Sequence, residues 1–226
     1  MKVVNKETNP EMLARCPHID ISEDLMAVPY WKVRAGNGEV ASFLVNREIM
    51  TNLQMTDSEL LSIGRANTVK SGFEIKGMSE TLREMMGDDM PIELIADMTP
   101  PGPERMYVVS NPEKVYGATA LLDPQTMKSI TDRIGEDTYF ILPSSIHEML
   151  VIPESLAPAP EELQTMVKEV NRNEVAVQDR LSDNVYRVDT NTMKISICNT
   201  TQQLQEQKES AVKIGEVLNA THKVKM

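Results

Sequence analysis

Hydrophobic and polar positions alternate along the chain in short stretches that predict several β-strands. Strands are predicted over residues 26–34, 40–46, 138–142, 148–152, 185–188 and 193–197, and short apolar runs cover residues 106–110 and 117–122. Gly36-Asn37-Gly38 supplies the positive φ angles that a tight hairpin needs between the first two strands. Turn residues beginning at Pro143 and Asp189 join the later strands. The sequence therefore predicts three strand pairs.

Helices are predicted where apolar residues recur every three or four positions behind residues that cap a helix. Thr56 and Glu59 match a capping box, in which each side chain satisfies the other's backbone N–H. Asp123 is an N-cap candidate, Gly135 falls at the matching C-cap position, and Pro160 opens a later helix. Apolar stripes follow over residues 60–63, 127–134 and 163–170, and a shorter helix is predicted over residues 79–86.

Proline-rich segments divide the chain into predicted parts. The segment 99–103 contains three prolines, which lack the N–H that a helix or central strand needs. We expect an N-terminal portion over residues 1–98 with a hairpin and a capped helix, an α+β portion over 105–198, and a helical tail over 199–226. The intermixed order predicts an α+β fold, in which mixed sheets carry packed helices and a C-terminal amphipathic helix follows.

Composition narrows the functional classes. The 226 residues include 34 acidic and 23 basic side chains, giving a net charge of -11. A protein that binds the phosphate backbone needs clustered Lys and Arg, so no direct nucleic-acid binding is expected. No apolar run approaches the length of a membrane-spanning helix, so no membrane is expected. Two widely separated cysteines predict no disulfide framework and favour a cytoplasmic location.

Several phrases in the chain resemble, in their order, a bacterial family catalogued as a domain of unknown function (number 5688). These phrases are residues 4–18, 43–46, 106–111, 116–122, 139–148, 170–171 and 181–187. The resemblance spans residues 3–198 and implies an α+β fold and a cytoplasmic bacterial protein, often an accessory gene on mobile elements. It implies no reaction. Family members usually carry a further N-terminal segment, so we expect this chain to be a shortened member.

Residues 144–148 are the most chemically suggestive phrase. A nucleophilic serine needs a base within hydrogen-bond reach, and Ser145 and His147 would share one face of an extended strand. Glu148 would point to the opposite face and could not orient the histidine. The favoured interpretation is therefore a Pro-Ser-Ser turn that caps backbone groups, followed by the start of a strand.

Metal and cofactor chemistry has weaker support. The three histidines lack the spacing of a zinc site, and the only local pair of ligands is Cys16 with His18. No glycine-rich phosphate loop occurs, so neither a metal nor a cofactor is expected. Adjacent acidic residues, such as Glu23 with Asp24, are interpreted as solvated surface.

The tail is the strongest candidate for partner contact. Its apolar residues recur near heptad spacing and are Leu204, Ala211, Ile214 and Leu218. A short amphipathic helix is marginal alone in water, so docking on the globule, pairing with another chain and disorder all remain open. The 16 methionines suit either a core with few aromatic residues or a surface that repacks around partners.

Three functional hypotheses follow. The first is a non-enzymatic accessory protein that binds another protein, or itself, through the tail. The second is a hydrolase-like enzyme of unrecognised class that uses Ser145 and His147. The third is an acidic mimic of nucleic acid that inhibits a DNA-binding protein.

Overall fold

Three antiparallel sheets organise the described part of the chain. The computed structural model describes residues 1–34, 40–86, 102–143 and 145–224, with side chains outside positions 34, 40, 86 and 214–224. The strands are β1 (Lys2–Asn5), β2 (Ile19–Asp20), β3 (Leu25–Val28), β4 (Tyr30–Arg34), β5 (Val40–Leu44), β6 (Glu74–Gly77), β7 (Tyr107–Ser110), β8 (Thr138–Leu142), β9 (Met149–Pro153), β10 (Tyr186–Asp189) and β11 (Lys194–Ile197). The largest sheet has the order β11-β10-β8-β9-β7-β6, while β1-β3-β2 form a second sheet and β4-β5 a separate hairpin.

Helices cover the sheets and connect their strands. The α-helices are α1 (Pro10–Arg15), α2 (Arg47–Leu53), α3 (Asp57–Lys70), α4 (Met78–Met86), α5 (Pro124–Ile134), α6 (Pro160–Asn173) and α7 (Thr201–Val224), and 3-10 turns occupy Gly117–Leu122, Glu154–Leu156 and Val177–Asp179. Within the described ranges, none of these helices has both the length and the apolar character that a bilayer crossing requires. The predicted α+β fold with a C-terminal helix is confirmed.

The six-stranded sheet is buried on both faces. Side chains alternate along β8, so Tyr139 and Ile141 enter one apolar cluster and Phe140 and Leu142 enter another. The first cluster takes in the three-stranded sheet and α5, through Val3, Leu25, Ala27, Met127 and Ile130. The second takes in α6, through Leu163 and Val167, together with Leu204 of α7. Burial on both sides explains why residues 138–142 are almost continuously apolar.

Local signals predicted most of these elements. The capping box of Thr56 with Glu59 is present, Asp123 accepts hydrogen bonds from the first turn of α5, and Gly135 ends that helix with a φ of 76°. The three predicted strand pairs form, as β4 with β5, β8 with β9 and β10 with β11. The turn at Gly36-Asn37-Gly38 lies outside the described residues.

One strand in the sequence interpretation is wrong. Residues 26–34 are not one strand, because Pro29 separates β3 from β4 and the two strands belong to different sheets. Residues 117–122 form a buried 3-10 turn. The division of the chain near residue 100 stays a prediction. Strand β6, before that point, pairs with β7, which follows it.

Candidate functional site

A cleft of about 560 Å³ opens between strand β4, helix α3 and the loop 111–116. Strand β4 contributes Tyr30, Trp31 and Lys32 to its wall. Helix α3 contributes Gly64, Asn67 and Thr68, and its C-cap Ser71 follows. These four lie at i, i+3, i+4 and i+7 and so share one face. The volume falls within the ~300–1,000 Å³ range of sites that enclose a ligand. Nothing in the sequence indicates that these three segments meet.

Tyr116 holds the loop in an unusual conformation beside the cleft. Its φ of 60° and ψ of 33° are left-handed, which is costly for a residue with a side chain. The ring lies parallel to the imidazole of His147, with centroids 5.7 Å apart, and meets the ring of Tyr30 edge-on at 5.0 Å. The side chain of Asn111 closes the loop by hydrogen bonds to both backbone groups of Val115. These contacts rigidify one wall of the cleft.

The charged groups at the cleft neutralise one another. The Lys32 ammonium donates to the Glu113 carboxylate, and this hydrogen bond raises the pKa of Lys32. Burial raises the pKa of the Tyr30 phenol, so it stays neutral at physiological pH. The amino group of Met1 also lines the cleft and donates to Thr68 Oγ1 at 2.7 Å, and burial together with the nearby Lys32 lowers its pKa to about 5. A ligand in this cleft therefore meets a closed ion pair and neutral hydrogen-bonding groups at neutral pH.

Ser145 and His147 lie close together without the geometry of a nucleophile and its base. Ser145 Oγ accepts a hydrogen bond from the backbone N–H of His147 at 3.0 Å, which is the turn arrangement expected of such a serine. Nδ1 of His147 accepts from the backbone N–H of Tyr116 at 3.3 Å, and Nε2 lies 3.3 Å from Asp179 Oδ1. This assigns the ring proton to Nε2. Both ring nitrogens are thus engaged, and the hydrolase hypothesis stays a prediction.

A buried carboxylate joins the three-stranded sheet to the six-stranded sheet. Asp24 is only 5% exposed and precedes β3, so its interpretation as solvated surface is wrong. Its carboxylate accepts hydrogen bonds from Asn5 Nδ2 (3.2 Å), Ser22 Oγ (3.0 Å), Ser182 Oγ (3.1 Å), Asn184 Nδ2 (2.9 Å) and Tyr186 OH (2.6 Å). Burial and the adjacent carboxylate raise the pKa of Tyr186, which keeps its proton as a donor. We call these six residues the Asp24 cluster.

The first turns of α7 dock on the globule. Glu161 of α6 accepts hydrogen bonds from the backbone N–H and hydroxyl of Thr201, which caps the start of α7. Gln207 donates to the carbonyl of Ile197 in β11 at 2.8 Å. Nζ of Lys208 lies 2.6 Å from Oε1 of Glu154, with which it forms an ion pair. Of the three states left open for the tail, docking describes this part of the helix.

The predicted anchors of the tail occupy different surroundings. Leu204 packs against the second apolar cluster of the protein itself. Ala211 is half-buried and lines a cavity of about 270 Å³ between α7 and the hairpin β10–β11. Ile214 and Leu218 belong to α7, but their side chains lie outside the described part of the chain. A partner contact through these residues stays a prediction.

The docking of α7 is expected to weaken in acid. The carboxylate of Glu154 forms ion pairs with Arg187 and Lys208. Burial alone would raise the pKa of Glu154, but hydrogen bonds from these two cations outweigh it and the pKa lies below its usual value. A lowered folded-state pKa stabilises the protein above the unfolded value, about 4.3, and the contribution is lost as the pH falls through the folded value.

We therefore expect Glu154→Gln to lower the free energy of unfolding by about 2 kcal/mol at pH 7, with the difference from wild type shrinking below pH ~4.5. Urea unfolding at several pH values measures this. The exposed Glu162 of α6 offers a matched control, since Glu162→Gln should follow the wild-type curve. A difference that does not change with pH would contradict the assignment.

The two cysteines and the Cys16–His18 pair show no sign of reactivity. Both thiols are buried, and burial raises the pKa of Cys16 and raises that of Cys198 to about 11. Such thiols remain protonated and are poor nucleophiles and ligands. His18 contacts the backbone carbonyl of Cys16 through Nδ1 at 3.3 Å. In the described ranges, no three His, Cys, Asp or Glu side chains are grouped to hold a metal ion.

Sequence reasoning missed both the cleft and the Asp24 cluster. The available signals were Trp31, the single tryptophan, and the turn residues Asn111-Pro112. Neither signal indicates which distant segment it will meet, because the cleft joins residues up to 118 positions apart, from Met1 to Thr119.

Comparison with known proteins identifies a family. A sequence model described as a family of unknown function (DUF5688) matches residues 1–190. Neither a curated protein nor a solved structure matches the chain. The predicted resemblance is confirmed, and the matched range contains the cleft and the Asp24 cluster but not α7.

Proposed function

Since the chain belongs to the family of unknown function DUF5688, its role must be inferred from its own surface, and we propose that it is a non-enzymatic protein that binds another protein. The resemblance also implies a bacterial cytoplasmic accessory protein, often encoded on mobile elements. Two free, buried cysteines suit that reducing compartment.

The observation that carries this proposal is an exposed apolar face on the hairpin β4–β5. The register places Trp31 opposite Phe43 and Val33 opposite Ala41, so all four share one face. Trp31 is 46% exposed, and Val33 and Phe43 are each 44% exposed. The two aromatic rings lie 5.9 Å apart. Exposed tryptophan beside other apolar side chains is typical of the centre of a protein interface.

The tail supplies a second contact surface in this proposal. Beyond its docked turns, α7 exposes Val212 to 61%, next to the predicted anchor Ala211. Ile214 and Leu218 follow at helical spacing. A partner bound through the tail would not contact the hairpin face. Mutations in the tail and in the hairpin therefore distinguish the two binding surfaces.

Replacing Trp31 and Phe43 together by serine is expected to abolish partner capture. Each lost aromatic anchor weakens such an interface by about 2 kcal/mol or more, so the pair should lower affinity by about a thousandfold. Affinity capture from native lysate with quantitative mass spectrometry measures the loss.

The matched controls are Ile63→Ser on α3 and a chain ending at Cys198. Ile63 is 50% exposed, and its replacement should leave capture unchanged. A partner that the substituted full chains still capture, but that the chain ending at Cys198 loses, would indicate that the contact lies on the tail. The absence of any enriched partner with the wild-type chain would refute the protein-binding proposal.

A further inference from the structure

The cleft is bounded by the free edge of strand β4. Tyr30, Trp31 and Lys32 are consecutive, and all three line the cleft. Successive side chains of a strand point to opposite faces, so a single face cannot present three neighbours. The strand must therefore meet the cleft along its edge. The partner strand β5 lies on the other side of β4, and in the described residues no further strand pairs with this hairpin.

The register shows which backbone groups of β4 are directed into the cleft. The N–H of Val45 donates to the carbonyl of Pro29, which continues the pairing of β4 with β5. Hydrogen-bonded pairs recur at every second residue of an antiparallel ladder, so Trp31 bonds to β5. Tyr30 and Lys32 are the non-bonded positions. Their N–H and C=O groups point away from β5, towards the cleft.

The opposite wall leaves room for a single extended chain. Gly64, Asn67, Thr68 and Ser71 are small or polar, and Asn67 is exposed. Met1 covers part of this wall, because its amino group donates to Thr68 Oγ1 and its thioether lies against Gly64, so the exposed Asn67 and Ser71 form the open part. A short segment placed between a strand edge and a helix face uses the free backbone groups on one side and the helix side chains on the other.

We propose that this cleft binds an extended, uncharged segment of a partner protein, which pairs with β4 as a third strand of the hairpin. This inference rests on the proposed protein-binding function and names its site and ligand class. The segment is uncharged because Lys32 is already paired with Glu113. It carries small or polar side chains towards α3 and, on the face of the hairpin that presents Trp31, an apolar side chain against that ring.

The test uses a displayed library of random twelve-residue peptides selected on the full chain. Enriched peptides are synthesised, and amide hydrogen exchange is followed by NMR with and without peptide. We expect peptide to slow exchange at Tyr30 and Lys32 by tenfold or more, because pairing protects their N–H groups. Asn67→Trp fills the cleft and should weaken peptide binding by at least about tenfold. Ile63→Trp, on the same helix and outside the cleft lining, should bind like wild type.

Three outcomes would overturn the inference. They are failure to enrich any peptide, equal binding by Asn67→Trp and wild type, and peptide-independent protection of Tyr30 and Lys32 that grows with protein concentration. The last would assign the edge to a second copy of this chain. If Asn67→Trp still captured a partner that the Trp31/Phe43 variant lost, the protein-binding function would stand and only the cleft inference would fall.

Discussion

Replacing Asp24 by alanine is expected to lower the free energy of unfolding by about 3–5 kcal/mol, the largest effect of any single substitution considered for this chain. The alanine removes the acceptor of the buried Asn5 amide and of the half-buried Asn184 amide, and it leaves Tyr186 with Ser182 Oγ, at 2.8 Å, as its remaining acceptor. An unsatisfied buried donor costs ~1–3 kcal/mol, and water reaches this position poorly because Asp24 is 5% exposed. Urea unfolding followed by circular dichroism measures the difference.

Asp20 provides the matched control in the same sheet. Its side chain is 71% exposed and lies 2.8 Å from Lys6, so Asp20→Ala should cost less than about 1 kcal/mol. Tyr186→Phe removes one of the five donors to Asp24. It should lower the free energy of unfolding by about 1–2 kcal/mol, between the losses of Asp24→Ala and Asp20→Ala. Equal unfolding midpoints for Asp24→Ala and Asp20→Ala would show that the cluster does not hold the two sheets together.

The elements that the sequence predicted are those decided by nearby residues. The capping box of Thr56 with Glu59 spans four residues, and the Asp123 cap and Gly135 end of α5 are equally local. Their stability depends on backbone groups within one turn, so composition suffices to find them. Pro29 also lies in the sequence, but apolar residues continue on both sides of it, and only its missing N–H marks the break between β3 and β4.

The site depends instead on contacts between distant residues. Asp24 was assigned to the surface because acidic residues are rarely buried, yet Ser182, Asn184 and Tyr186 lie 158–162 positions further along the chain. No local sequence pattern indicates that Asp24 contacts these distant residues. His147 was identified as chemically interesting, but Tyr116 and Asp179, which engage its two nitrogens, were not connected with it. Residue type thus indicates what a side chain can do, while tertiary packing decides what it does.

Gly117→Ala is expected to have the second-largest effect, a loss of about 3 kcal/mol in the free energy of unfolding. A Cβ at this position would overlap the carbonyl oxygen of His147 and Oγ of Ser110 and lie 2.8 Å from Ser110 Cα. Two of these three obstacles are backbone atoms, so rotating a side chain cannot relieve the clash. The N–H of Gly117 also donates to the His147 carbonyl at 2.9 Å, and a shift of the loop would lengthen this bond.

The same substitution links stability to the cleft, because Gly117 directly follows the left-handed Tyr116. Displacement of this loop should separate the ring of Tyr116 from those of His147 and Tyr30, and aromatic NMR shifts report the change. Gly72→Ala is the matched control. Gly72 has a positive φ of 75° and no atom within 4 Å of its Cβ position, so only the backbone cost of about 1 kcal/mol should appear. If both variants unfolded alike, the close packing of Gly117 against residues 110 and 147 would not be what fixes the wall of the cleft.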